Sequence, residues 1–520
     1  MSEVSASAAG APDQTAGPDP RRWLILGVVG LAQLMVVLDI TIVNIALPSA
    51  QQSLGFSTVD RQWVVTAYAL AFGSLLLFGG RVGDLIGRKI TFLGGLIGFA
   101  GASALGGAAT SFGMLVAARA CQGAFGAFLA PSALGLLTTT FSDPKERGKA
   151  FGVFGAIAGS GAAAGLVLGG LLTEYLSWRW CLYVNLFLAG FAVVGGALLL
   201  QGHPSRQRPR LDMLGVVLAA ASMFCLVYGF SNAATHGWHT PSTYGFLAAG
   251  VLLLVAFGWR QARVANPLLP PRVVLDRNRG GSYLAILILG AGMFGIFLFL
   301  TYYLQQTLGF SPVTAGCAVL PMVALIALAA NLSTIVLLPR VGPKPLVTAG
   351  MLLAAGGMAW LTGIGLHTSY AGAVLGPLLV VGAGLGLAIA PSINTGTFGV
   401  APQDAGVASA TVNTGQQIGG SIGTSLLNTI FASAVASYLT AHIGPGTLVG
   451  GHPTPHLTGL ALVHGYTTAF WWSAAIFAAG AVICGTLLRR GPLTLATVPG
   501  AQEGATRSAQ GADEPPAVHL

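Results

Sequence analysis

Long apolar runs constrain this chain more than any other feature. Fourteen stretches of about twenty residues carry almost no charge. They lie near residues 23–47, 62–80, 90–109, 112–139, 150–173, 180–200, 213–232, 243–259, 283–305, 314–338, 345–366, 371–398, 405–436 and 465–487. A run of that length matches a helix crossing the hydrocarbon core of a bilayer, and a helix satisfies its own backbone in lipid. Only 8% of the 520 residues are charged, against about 25% in a soluble domain. The expectation is an all-α membrane protein. The first run follows Arg21 and Arg22 but is too long for a signal-peptide core, so it reads as an uncleaved span.

Charge tests the count. With fourteen spans, both ends of the chain lie on one side. Placing that side in the cytoplasm puts 21 of the 24 Lys and Arg there, leaving Arg61, Arg119 and Arg179. This is the bias that orients membrane proteins. The net charge of +9 therefore describes topology and contact with the inner leaflet, and no nucleic-acid partner is implied. The setting expected is the cell membrane, with both termini cytoplasmic.

Two parts of the chain repeat. LGFSTVDRQW at 54–63 matches LGFSPVTAGC at 308–317, APS recurs at 130–132 and 390–392, and RVGDLIGRK at 81–89 has a worn counterpart in RVGPKP at 340–345. The reading is two six-helix halves, 21–205 and 266–490, with two inserted helices in 206–265. Polar tails at 1–20 and 491–520 have the composition of disordered segments. Parallel repeats of this kind place a substrate site between the halves.

The motifs inside this frame resemble the fourteen-helix drug:proton antiporters of the major facilitator superfamily. LDITIVNIALP (38–48) fits the first-helix motif, and GRVGDLIGRK (80–89) fits the connection between helices 2 and 3. RACQGAFGAFLAP (119–131) fits helix 4, and GAAAGLVLGG (161–170) followed by WRWCLYVN (178–185) fits helix 5 and its exit. Where the family has Pro after the middle glycine of the helix 5 motif, this chain has Leu166. The resemblance implies proton-coupled efflux of an amphipathic drug or antibiotic and hence antibiotic resistance. It also implies alternating access, a monomer, and no cofactor beyond the proton motive force. It gives Gly80, Arg81, Gly83, Asp84, Gly87, Arg88 and Lys89 the role of a latch between the halves, and Gly161, Gly165, Gly169 and Gly170 that of the antiporter motif. The residues allow this: glycines permit tight turns, and glycines four apart line one helix face for close contact. Gly415, Gly419 and Gly423 repeat that spacing in helix 13.

Of fifteen acids, Asp39 alone sits deep in a span, and Arg119 is the one base placed inside a span by this reading. At about 1.5 Å per residue, Asp39 lies roughly 24 Å along helix 1 and Arg119 roughly 10 Å along helix 4 from the opposite side. Both fall in the outer half of a bilayer core of about 30 Å, so they can meet. Asp39 is then a proton carrier, one partner in a structural ion pair, or a contact for a cationic substrate. Burial favours the protonated carboxyl and a nearby guanidinium the ionised one, so conformational change can move a proton on and off. The resemblance favours the carrier.

No acid lies between Asp276 and Asp404, which argues for neutral, monocationic or weakly anionic cargo. Cavity candidates are Asn44, Tyr68, Gln122, Tyr302, Gln306, Asn331, Asn394, Asn413 and Gln417. The sequence offers no nucleophile, acid pair or metal spacing for an enzyme, and residues 80–89 lack the GxxxxGK[ST] of a P-loop. A proton-coupled importer would share the fold and the buried acid and is the rival reading.

Overall fold

The computed structural model describes residues 21–57, 60–141, 144–200, 212–238, 240–264, 267–400, 405–443, 448–449 and 452–491. Both expected tails lie outside this set, as do the side chains of Arg81 and Asp84. Fourteen long helices follow one another: α1 (Arg22–Leu54), α2 (Gln62–Ile86), α3 (Arg88–Gly107), α4 (Phe112–Thr140), α5 (Pro144–Tyr175), α6 (Trp180–Leu199) and α7 (Met213–His236). Next come α8 (Pro241–Gln261), α9 (Arg277–Tyr302), α10 (Pro312–Leu332), α11 (Pro343–Leu361), α12 (Leu375–Thr397), α13 (Ala405–His442) and α14 (Pro455–Leu487). Among the described residues, twelve of these are long and apolar enough to cross a membrane. The shorter apolar stretches Trp63–Leu76 and Ala163–Tyr175 lie within α2 and α5.

Local signals start and stop the helices. The side chains of Ser111, Asp212, Asp276, Ser311 and Thr454 accept backbone N–H groups at the starts of α4, α7, α9, α10 and α14. Proline opens α8, α10, α11 and α14, where its missing N–H costs nothing. The repeated APS stretches put Pro131 and Pro391 inside α4 and α12.

The 80–89 motif is mostly helix, a correction to its reading as a loop. Apolar and small residues carry α2 on to Ile86, and Gly87 alone makes the turn at φ 100°. In the second half the turn falls at Gly342, φ 78°, where a Cβ would run into the Gly491 carbonyl. The two RVG stretches thus match in sequence while their turns sit at different places.

Packing within the first six helices is copied in the last six. α1 packs on α5 as α9 packs on α13, α2 on α4 as α10 on α12, and α3 on α4 and α6 as α11 on α12 and α14. The glycines four apart make the first of these pairs. A Cβ at Gly161 would touch Leu34, at Gly165 Thr41 and at Gly169 Ile42, all on α1; Gly419 and Gly423 likewise abut Leu287 and Ala291 on α9. The inserted α7 and α8 pack on each other, and α7 touches both α2 and α13.

The end of the bundle at Arg22 is proximal, and the end at Leu54 distal. The hydrogen bonds that join the two sets of six helices, among the described residues, lie at the distal end. Tyr302 Oη donates to Gln51 Oε1 at 2.9 Å, Gln305 Nε2 to the Ile45 carbonyl at 3.2 Å, and the Val313 amide to Glu174 Oε2 at 3.1 Å. The backbones meet there too: a Cβ on Gly316 would lie 2.4 Å from the Leu166 carbonyl. Leu166, which stands where the resemblance expects proline, is buried at this junction.

Candidate functional site

Asp39 is fully buried in α1. Its Oδ2 accepts from Arg119 Nη1 at 2.5 Å, so the pair drawn from helix depth is formed. Its Oδ1 accepts from Gln122 Nε2 at 3.0 Å and from Asn185 Nδ2 at 2.7 Å. A carboxylate in an apolar bundle is tolerated when a cation and further donors surround it, and both are present here.

The partners are themselves held. Arg119 donates through Nε to the Val64 carbonyl at 3.1 Å and through Nη1 to Gln122 Oε1 at 2.8 Å, and its guanidinium lies 4.6 Å from the Tyr68 ring centre. Gln122 Nε2 also donates to Ser103 Oγ at 2.7 Å. Arg119 and Gln122 are one turn apart on α4, so they present to the same neighbour. Five helices, α1, α2, α3, α4 and α6, thus converge on one carboxylate. All of its ligands come from the first six helices.

The other sequence candidates are distributed more widely. Gln122 and Tyr68, proposed for the cavity, belong to the Asp39 network. Asn44 is buried and donates to its own helix at Ile40; Asn413 does the same to Ser409 and Asn331 to Ala327. Asn331 and Gln306 are exposed, and Asn394 is half-buried. Gln417 faces α2, its Cβ 3.8 Å from where a Cβ on Gly73 would stand. Tyr302 is buried at the distal seam.

In the 80–89 stretch, Gly80 faces Pro131 and Gly83 faces Ser132. Arg88 Nη1 donates to the Gly135 carbonyl at 2.7 Å, and Lys89 Nζ to the carbonyls of Ala197 and Leu200. These two bases therefore tie α3 to the C-terminal ends of α4 and α6, where helix carbonyls attract cations. Of the glycine motif, Gly161, Gly165 and Gly169 meet α1, while Gly170 meets Pro312 and Val313 across the seam.

Sequence reasoning missed three residues. Asn185 and Ser103 were available as polar residues within apolar runs, but nothing in their spacing pointed to Asp39. Arg61 was assigned to an outer connection and is 1% exposed; its guanidinium carbon lies 3.7 Å from the Tyr302 ring centre and 5.4 Å from that of Phe431.

A family model described as Major Facilitator Superfamily matches residues 29–424. The chain is 49% identical to a puromycin resistance protein of Streptomyces alboniger, over 91% of this chain and 92% of that one. It is 40% identical to a cephamycin export protein of Amycolatopsis lactamdurans, over 79% and 86% of the two chains. A solved bacterial homolog of the human lysosomal transporter Spinster, in an inward-facing and occupied conformation, superposes with a TM-score of 0.59. The identity is 16%, covering 90% of this chain and 97% of that one.

Proposed function

The chain belongs to the major facilitator superfamily, and on that premise we propose that it exports antibiotics or similar amphipathic drugs in exchange for protons, with Asp39 as the exchanging carboxyl. Relatives that bear the names of antibiotic resistance and export proteins support the cargo class. The observation that carries the proton role is Asp39 itself: a fully buried acid held by one cation and two amides.

The cycle follows from the packing. In this structure the distal seam is closed and Asp39 is paired with Arg119. We place the proximal end in the cytoplasm, so drug enters from the side away from the closed seam. As the halves rock, α1 shifts against α4 within the first half, so that Asp39 leaves Arg119 and takes a proton from outside, and the drug departs. Return of the halves carries protonated Asp39 back, and as the next drug enters from the inner side Asp39 rejoins Arg119 and the proton leaves there. The glycine contacts of α5 with α1 keep the wall near Asp39 dry. The 80–89 stretch acts as the inner latch. The protein works as a monomer in the cell membrane, with the proton motive force as its only energy source.

The test is uptake into inside-out vesicles with an imposed acid interior, using puromycin and ethidium as probes. Wild-type uptake that a protonophore collapses and Asp39→Asn abolishes is the expected result. Uptake by Asp39→Asn that still follows the proton gradient would reduce Asp39 to a structural partner of Arg119.

A further inference from the structure

Arg61 is the second buried cation of the described bundle, and unlike Arg119 it has no carboxylate. Its Nε and Nη2 find no hydrogen-bond acceptor. Its neighbours belong to the other half: the Tyr302 ring on α9's end, whose hydroxyl also interacts with the guanidinium, the Phe431 ring on α13, and Tyr466 on α14. Cation–π contact recovers part of what an arginine loses on leaving water, but a ring face satisfies no N–H donor. Nε and Nη2 form one in-plane edge of the guanidinium. That edge is the fork that grips a carboxylate with two parallel hydrogen bonds. The ring stacked on the face of Arg61 leaves the fork free.

The surroundings carry further unsatisfied polarity. Asn428 stands one turn before Phe431, 1% exposed, and neither its amide nitrogen nor its oxygen has a partner. The Tyr466 ring is 5.1 Å from that of Phe431, and its buried hydroxyl is also unpartnered. Buried polar groups in native proteins are nearly always paired. Three such side chains close to one seam, one of them a guanidinium edge, leave bonds that an outside oxygen group can supply.

We infer that Arg61, with Asn428 and Tyr466, forms a subsite at the distal seam that takes an acidic oxygen group of the cargo, a carboxylate or an ionised phenol or enol. The Tyr302 ring lies against the guanidinium face, held there by its bond to Gln51, and leaves the Nε–Nη2 edge open. Arg61 at the start of α2 and the polar groups on α13 and α14 belong to different halves, so the subsite is assembled while the distal end is closed and comes apart when the halves part, releasing the acidic group outward. The subsite therefore lies on the exit side, distal to Asp39. This rests on the export reading for its sense of direction but not for its chemistry: the second half has no acid between Asp276 and Asp404 to repel an anion, and Arg61 supplies a fixed positive charge.

The test uses purified full-length protein in detergent and a matched pair of probes, 1-naphthoate and its neutral isostere 1-naphthamide, with affinity read by tryptophan fluorescence. Wild type is expected to prefer naphthoate at least tenfold. Arg61→Gln should erase the preference while leaving naphthamide affinity within twofold. Arg61→Lys keeps the charge but loses the fork, and should lose most of the preference; it also serves if Arg61→Gln is not monodisperse. Equal affinity for the two probes in wild type, or a preference that survives in Arg61→Gln, would overturn the assignment. So would chloride alone raising thermal stability through Arg61 while naphthoate and naphthamide remain equal, because the site would then hold an inorganic ion. None of these outcomes depends on Asp39 or on a proton gradient, so the subsite and the antiport reading stand or fall separately.

Discussion

Removing either member of the Asp39–Arg119 pair should destabilise the protein, and the two losses should differ in a way that pH reveals. Asp39→Asn strands a guanidinium that is 2% exposed and that cannot shed its proton. Arg119→Gln strands a carboxylate that keeps its bonds from Gln122 and Asn185 and can neutralise itself by taking up a proton. Breaking a buried pair costs about 3–5 kcal/mol. We expect Asp39→Asn near the upper end and Arg119→Gln near the lower, because the carboxylate has this escape. In Arg119→Gln the folded carboxyl binds its proton more tightly than the unfolded one. The folded state then holds more protons in the intervening range, and stability rises as pH falls. Asp39→Asn has no such group and should stay flat. The double variant removes both charges and should recover roughly 1–3 kcal/mol relative to the sum of the singles. The assay is equilibrium unfolding in mixed dodecyl sulfate micelles at pH 8 and pH 6. Additive losses, or an Arg119→Gln protein that weakens as pH falls, would refute the reasoning.

Three further outcomes follow from the packing. At Gly169 a Cβ would stand 2.8 Å from Ile42 Cγ1 and 3.2 Å from its backbone; Gly169→Val should cost on the order of 1–3 kcal/mol and lower the yield of monodisperse protein, whereas Gly27→Val, with open space around it, should not. Gly316→Val drives a side chain into the Leu166 carbonyl across the seam and should favour the distally open state, read as faster thiol labelling of a cysteine placed at Gln305. Burial alone would push the Asp212 carboxyl up, but the Arg260 guanidinium, the Gly215 amide and the Gln261 amide hold it below the usual carboxylate range. Its contribution is therefore present above the unfolded value of about 3.9 and is lost as pH falls through the lower folded value. Asp212→Asn should flatten the acid limb of a thermal-stability profile measured from pH 6 to pH 3.

Much of this was legible before any coordinates because lipid imposes a simple code. Length and apolarity gave the spans, and the depth of Asp39 and Arg119 along antiparallel helices was enough to bring them together. The rest depended on helix rotation and tilt, which apolar runs do not encode. Gln122 reads as a cavity residue until the face it shares with Arg119 is known to point at α1. Asn185 and Ser103 lie 82 residues apart in sequence and meet only because α3 packs on α6. Arg61 stands at the foot of an apolar run, where basic residues mark a wet boundary; here Tyr302 and Phe431 close over it from the other half. The apolar run of α2 ends at Gly80, where Arg81 begins the charged stretch. In a bundle, Gly79 and Gly83 instead allow α2 to approach α4 closely, and the helix continues to Ile86.

The proposed exchange of drug for proton at Asp39 is open to direct measurement. Purified protein in lightly buffered detergent solution is titrated with puromycin while binding and pH are followed together. Wild type should release close to one proton per drug bound, and Asp39→Asn should bind with no release. Drug binding by wild type without any proton change, or proton release that persists in Asp39→Asn, would contradict the account.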